Sequence, residues 1–130
     1  MTATYLDSSA IVKLAVREND SVALRRYLRR RRPLVSSSLA RTEVMRALLP
    51  GGEDAVAAGR KVLTGLDLIR ISTGVLDDAA LLLPADLRSL AAIHIATARR
   101  LGRDLGSIIT YDEHMADAAT RLRHCVAAPR

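Results

Sequence analysis

Three carboxylates in this sequence stand where chemistry is usually done. In Thr4-Tyr5-Leu6-Asp7-Ser8-Ser9-Ala10, Asp7 lies between a short β-favouring run and two hydroxyl residues suited to cap a helix, which Ile11, Val12 and Leu14 then supply with an apolar side. Near the other end, Gly106-Ser107-Ile108-Ile109-Thr110-Tyr111-Asp112 repeats the order of strand, acid and helix. In an open parallel α/β sheet ligands sit beyond the carboxyl ends of the strands, so Asp7 and Asp112 point to one rim. The third acid, Glu43, shares a helix face with Leu39 and Ala47 near the start of a helix that follows another strand. Beside Val44 and Leu48, a half-buried carboxylate needs a cation or a proton to offset its desolvation. Taken singly, each acid has a plainer explanation: Asp112 as a helix N-cap, Glu43 as a solvent-facing helix residue. Taken together, three carboxylates at one rim repel each other unless a cation sits between them. Oxygen donors without a cysteine or histidine cluster suit Mg²⁺, with Mn²⁺ as a substitute. Such an ion acidifies a bound water and neutralises charge on a phosphodiester under attack, which is the chemistry of a metal-dependent nuclease. Ser9 and Thr110 are placed to orient carboxylates by hydrogen bonding. Asp117, five residues into the last helix, is a further and lesser candidate, facing either the pocket or solvent.

The elements that must position these acids alternate strand and helix. After the first helix, Glu18-Asn19-Asp20-Ser21 reads as a turn and cap before a helix striped by Val22, Leu24, Tyr27 and Leu28. Pro33 stops that helix and Leu34-Val35-Ser36 is a second strand. Ser37 or Ser38 is then expected to cap a helix running to about Leu49, closed by Pro50-Gly51-Gly52. A helix from Glu53 ends at Gly65, and Leu66 to Ile71 makes an edge or third strand with Asp67 at its start, away from the chemistry. Val75 to Leu83 reads as a short helix ended by Pro84. The strongest helical pattern is Leu87 to Ala98, in which His94 shares a side with Leu90 and Ala98 and reads as a packed or hydrogen-bonded core histidine rather than a ligand. Cys125-Val126-Ala127 can form a last edge strand. Crossovers of this length allow parallel pairing, so the expected fold is a single α/β domain spanning residues 1–130, a central parallel sheet of about four to five strands flanked by helices.

Composition limits the partners. Of 130 residues, 49% are hydrophobic, yet the only aromatic residues are Tyr5, Tyr27 and Tyr111, so the core is aliphatic. That scarcity argues against nucleic-acid modules that stack bases on aromatic platforms. The net charge of +6 is almost wholly arginine, since Lys13 and Lys61 are the only lysines. Arginine forks match phosphate oxygens, and a polyanionic partner fits, although the run Arg29-Arg30-Arg31-Arg32 at a helix end is also what the dipole favours. A single cysteine, Cys125, excludes an internal disulfide and a cysteine-based zinc site, and suits a reducing cytoplasm. The opening Met1-Thr2-Ala3-Thr4 lacks signal-peptide features and no apolar run approaches the roughly 20 residues that span a bilayer, so no membrane is expected.

The segments Tyr5-Leu6-Asp7-Ser8-Ser9-Ala10, Ser37-Ser38-Leu39-Ala40-Arg41-Thr42-Glu43, Leu90-Ala91-Ala92-Ile93-His94-Ile95-Ala96-Thr97-Ala98 and Ile109-Thr110-Tyr111-Asp112, in this order and spacing, resemble the PIN-domain toxins of the VapC type over nearly the whole chain. The resemblance implies a PIN fold and a Mg²⁺-dependent endoribonuclease that cuts cellular RNA and restrains growth. It also implies a toxin homodimer silenced by a cognate VapB-type antitoxin. Asp7, Glu43 and Asp112 match the family's metal-centred acids. The departure is Ala91: the family carries a metal-holding aspartate at that position, and a methyl cannot bind a cation. Weakened metal binding and mostly lost cleavage are expected, with fold and partner binding kept; a non-catalytic protein that grips RNA or an antitoxin is the alternative.

Overall fold

Alternation along the first strand decides which layer each side chain joins. In the computed structural model, which describes residues 2–130, β1 spans Ala3–Leu6 and is buried throughout. Ala3 and Tyr5 pack on one face with Val35, Ile95, Ile108 and Met115, whereas Leu6 packs on the other with Ile11, Leu24, Leu34, Val44 and Ile109. A period of two is what a pleated strand between two helical layers imposes.

The other strands are β2 (Leu34–Ser37), β3 (Asp67–Ile69), β4 (Leu105–Ile109) and β5 (Val126–Ala127). They form one parallel sheet of five strands in the order β3-β2-β1-β4-β5. The expected count and direction hold, and residues 66–71 supply an edge strand as read. From β1 the chain builds outward to β2 and β3, then returns to the far side of β1 for β4 and β5. The order therefore reverses between β1 and β4, and a crevice opens there beyond the strand ends.

Seven helices cover the sheet: α1 (Ser8–Ala15), α2 (Ser21–Leu28), α3 (Ala40–Leu48), α4 (Glu53–Thr64), α5 (Thr73–Ala80), α6 (Ser89–Arg99) and α7 (Glu113–Arg121). Residues of α1 to α4 join the core on the Leu6 face; α6 and α7 join the core on the Tyr5 face, with α5 packed on α6 through Val75, Ala79, Ala92 and Ala96. No helix among the described residues is long and apolar enough to cross a membrane.

Several boundaries differ from the sequence expectation, each for a local reason. Neither Ser8 nor Ser9 caps α1: Asp7 is the N-cap and accepts from the Ala10 amide, because a carboxylate at that position reaches the free amides of the first turn. Ser37 and Ser38 do not cap α3, which starts at Ala40; Ser37 Oγ instead accepts from the Leu39 amide within the turn. The helix expected over residues 75–83 runs Thr73–Ala80, capped by Ser72, whose side chain accepts from the Val75 amide.

The α3–α4 contact depends on one small residue. A Cβ on Gly59 would lie 2.4 Å from Leu48 Cδ1 and 2.8 Å from Met45 Cε, and Leu48 is itself buried. Alanine in a helix gains about 1 kcal/mol over glycine, but overpacking a filled core costs about 1–3 kcal/mol. Gly59→Ala is therefore expected to lower stability, by up to about 2 kcal/mol. Urea denaturation checks it, and a raised midpoint would show that α4 does not approach α3 this closely.

Candidate functional site

Asp7 is the most constrained acid in the molecule. It leaves β1 at the crevice, with its amide bound to the Ile109 carbonyl of β4 at 3.1 Å, and its side chain is only 4% exposed. Ser9 Oγ donates to Asp7 Oδ1 at 2.6 Å, the Ala10 amide to the same oxygen at 3.0 Å, and Thr110 Oγ1 to Oδ2 at 2.5 Å. Burial pushes this carboxyl above the ordinary carboxylate range, and the three hydrogen bonds only partly counter it. Oδ1 already accepts two bonds, whereas Oδ2 keeps lone-pair capacity for a further partner.

Thr110 joins the second acid to the first. Its Oγ1 accepts from the Asp112 amide at 3.1 Å while donating to Asp7, so the two strand ends flanking the crevice are tied through one hydroxyl. Ser9 makes a second tie: its Oγ accepts from the Tyr111 amide at 3.0 Å. Asp112 is exposed and is the N-cap of α7, with Oδ1 accepting from the Met115 amide at 3.1 Å. Both acids therefore cap helices, and the capping explanation holds without removing either from the rim.

Glu43 reaches the same rim from the first turn of α3. Its Oε1 accepts from Ser8 Oγ at 2.5 Å and lies 2.6 Å from His94 Nε2. His94 in turn lies 2.8 Å, through Nδ1, from the Tyr5 hydroxyl. A charged carboxylate can only accept, so Nε2 donates to it; burial drives the Tyr5 phenol pKa upward, keeping its hydroxyl protonated beside Nδ1. Glu43 is 21% exposed and His94 only 3%. Desolvation alone would raise the Glu43 carboxyl, but the bonds from His94 and Ser8, with the His94 charge when present, hold it below its ordinary value. The partner that a half-buried glutamate needs is thus a histidine from the opposite helical layer. His94 is a hydrogen-bonded core histidine, as its apolar neighbours suggested.

The fourth position lies beside Asp112. A cleft of about 380 Å³ is lined by Ala91, Asp112, Asp117, Asp86, Arg88 and Arg121, among others. Asp117 faces this cleft, exposed, with its Oδ2 3.5 Å from Arg121 Nη2. Among the described residues, no three histidine, cysteine, aspartate or glutamate side chains stand close enough to hold a metal ion. Asp7, Glu43 and Asp112 are linked through intervening groups rather than converging on one point. Asp67 stands exposed on β3, away from the rim, as expected.

Sequence reasoning passed over Ser8, taken for a cap, and Tyr5, taken for strand. Their signal was periodicity: Tyr5 and Asp7 share a strand parity, and Ser8 directly follows the acid. The partnership of Glu43 with His94 spans 51 positions and two layers, and no local pattern carries it.

Comparison with known proteins identifies the family and the fold. A PIN-domain family model matches residues 4–121. Ribonuclease VapC46 of Mycobacterium tuberculosis is 64% identical over 129 residues, 99% of each chain. Ribonuclease VapC35 of the same organism is 37% identical and ribonuclease VapC47 is 32% identical, each over 96% of both chains. The crystal structure of M. tuberculosis VapC20, described as a Sarcin-Ricin loop cleaving toxin, superposes with a TM-score of 0.74 at 19% identity, covering 89% of this chain and 95% of that one, a likeness of fold. With the model spanning the sheet and both acid-bearing strand ends, and relatives this close over the full length, the chain belongs to the PIN-domain family, among the VapC ribonucleases.

Proposed function

We propose that this chain is the toxin of a toxin–antitoxin pair, built as a divalent-metal-dependent endoribonuclease and weakened or silenced by Ala91. The observation that carries the reading is the tie through Thr110: it holds two carboxylate-bearing strand ends at the one crevice where an α/β sheet takes ligands. The 64% identity to a protein named as a ribonuclease supports RNA as the substrate.

The donor chemistry suits a hard divalent cation, Mg²⁺ first and Mn²⁺ as substitute; the donor number falls short. Asp7, Glu43 and Asp112 are the residues that would hold the ion, with Asp7 the leading direct ligand. When bound, the ion would acidify a water and neutralise charge on the scissile phosphodiester. The protein's own part is positioning. Ser9 and Thr110 fix the Asp7 carboxylate, and Ser8 and His94 keep Glu43 ionised at neutral pH. Ala91 and Asp117 share a cleft with Asp112, so a carboxylate at position 91 would join the acids there.

A second reading has its own observation. Glu43 already has His94 and Ser8 as partners and position 91 offers a methyl, an arrangement suited to a protein that binds RNA or a VapB-type antitoxin without cutting. Homodimer formation is supported by exposed leucines in one stretch of chain, Leu76, Leu81, Leu83 and Leu90, with Leu81 84% exposed.

Ala91→Asp separates the two readings. Cleavage of total RNA with Mg²⁺ is expected to rise by at least about a hundredfold and to vanish in EDTA, the order gained when a missing transition-state stabiliser is supplied. No cutting over a broad set of RNAs, with Mg²⁺ or Mn²⁺, would leave the binding reading standing.

A buried carboxylate that awaits a cation also predicts a stability effect. Because the folded state raises the Asp7 pKa, folding is penalised above that raised value, and the penalty fades as pH falls to the unfolded value. Asp7→Asn in EDTA is thus expected to stabilise the protein at pH 7 by about 1 kcal/mol, the usual scale for relieving a functional site. The gain should shrink as pH falls below the raised value and be gone by about pH 4, near the ordinary carboxylate pKa. Thermal melts at both pH values check this, and a loss of stability at pH 7 would overturn it.

A further inference from the structure

Six arginines, Arg25, Arg26, Arg29, Arg30, Arg31 and Arg32, fall within eight positions, and all are exposed. The helix dipole accounts for Arg25 and Arg26, which sit in the last turn of α2. It does not account for Arg30, Arg31 and Arg32, which lie past the helix in the turn leading to β2. Among the described residues, none of the six has a carboxylate within ion-pair distance. A concentration of like charge without counter-charge is a standing cost that an anionic partner removes.

The turn is also organised. Arg31 Nη1 donates to the Tyr27 carbonyl at 2.8 Å, and its guanidinium lies 3.8 Å from the centre of the Tyr27 ring. Stacking of that kind fixes the plane of the fork before any ligand arrives. Between this turn and the first residues of β1 and β4 lies a cleft of about 470 Å³, lined by Arg30, Arg31, Arg32, Thr2, Thr4 and Ser107, among others. Thr4 and Ser107 are register partners one step after the Ala3–Leu105 pair that begins the β1–β4 ladder, so the cleft opens toward the N-terminal edge of the sheet, opposite the acids. Arg32 also lines a second groove with Arg25, Arg29 and Lys61, but Leu14, Leu28, Leu34, Val62 and Leu66 make that groove largely apolar, and it lies outside the site inferred below.

We infer that this turn and the N-terminal edge of the sheet form an RNA-backbone site separate from the acidic rim, with guanidiniums on successive phosphates and hydroxyls donating to phosphate and sugar oxygens. The cleft holds no Leu, Ile, Val or Met side chain to receive the apolar anchors of a peptide. Guanidiniums and neutral hydroxyl donors together are the usual partners of a nucleic-acid backbone. The inference rests on the reading of the chain as an RNA-acting protein and names how RNA is held away from the cutting site.

The test is fluorescence anisotropy of a fluorescein-labelled RNA with the chain as it stands, in EDTA, so that binding is read without cleavage. Arg30→Gln/Arg31→Gln/Arg32→Gln is expected to weaken binding by about tenfold at moderate salt and to flatten the slope of log K against log salt by about 2 to 3. Removing three exposed arginines elsewhere, Arg46→Gln/Arg60→Gln/Arg70→Gln, is expected to cost less than about threefold. Arg30→Glu alone should act in the same direction and guards against a triple variant that folds poorly. Equal losses in both triple variants, or none in either, would overturn the site. So would a poly-glutamate peptide that binds as well as RNA and is lost in the same variant, which would assign the turn to an acidic protein partner. Failure of Ala91→Asp to cut RNA while the binding difference persists would remove the nuclease reading and leave this site.

Discussion

The structure depends on a carboxylate held almost out of water where β1 meets α1. Asp7 caps α1, receives Thr110 from the next strand and Ser9 from its own helix, and its amide closes the ladder to β4. Each of those bonds serves two ends at once. They satisfy groups that the start of a helix and the end of a strand would otherwise leave open, and they aim an acid at the crevice where the strand order reverses. A capping residue needs only to accept from the first turn. Asp7 accepts three bonds in a buried setting, more than capping asks for, and it is there that stability and function pull in opposite directions.

The parts of the fold legible in the sequence were those fixed by short-range pattern. Ile108-Ile109 before Thr110 reads as a buried strand because nothing else in so short a run is satisfied by two faces of helix, and the small residues of Leu90-Ala91-Ala92 read as a helix lying close to its neighbours. The helix starts were less legible. Asp, Ser and Thr all cap, and three such residues in a row, as at Asp7-Ser8-Ser9, do not say which one takes the amide. Here the acid takes it because the first serine turns to Glu43 and the second to Asp7 itself. Least legible was the Glu43–His94–Tyr5 chain, since it depends on α3 and α6, from opposite layers, meeting beyond the end of the sheet. A histidine among alanines and isoleucines shows that it is buried, not whom it faces.

That chain also explains how a glutamate in an apolar helix face remains ionised. The buried phenol is held protonated beside one ring nitrogen, and the other ring nitrogen donates to the carboxylate. Ser8 adds a second donor to the same oxygen. The rim therefore carries a charged Glu43 near a buried Asp7, and the hydrogen bonds each accepts moderate the repulsion between them.

An acidic rim that is to act on a polyanion meets a further electrostatic problem, because it repels the molecule it must bring close. Neutralising the acids with neighbouring arginines would remove the repulsion, but it would also remove the field that draws a cation. Arg88 and Arg121 line the cleft beside Asp112, but the arginine cluster that ends α2 lies at the opposite edge of the sheet. From Thr4 to Asp7 the strand rises about 10 Å, comparable to the distance over which salt screens charge at physiological strength. Arginines at one edge of the sheet thus leave the acids at the other nearly undisturbed, while a long polyanion, unlike a mononucleotide, can engage both edges at once. Under the nuclease reading, that difference in reach favours extended RNA over short fragments before any base is read, and the length of the strands is what sets it.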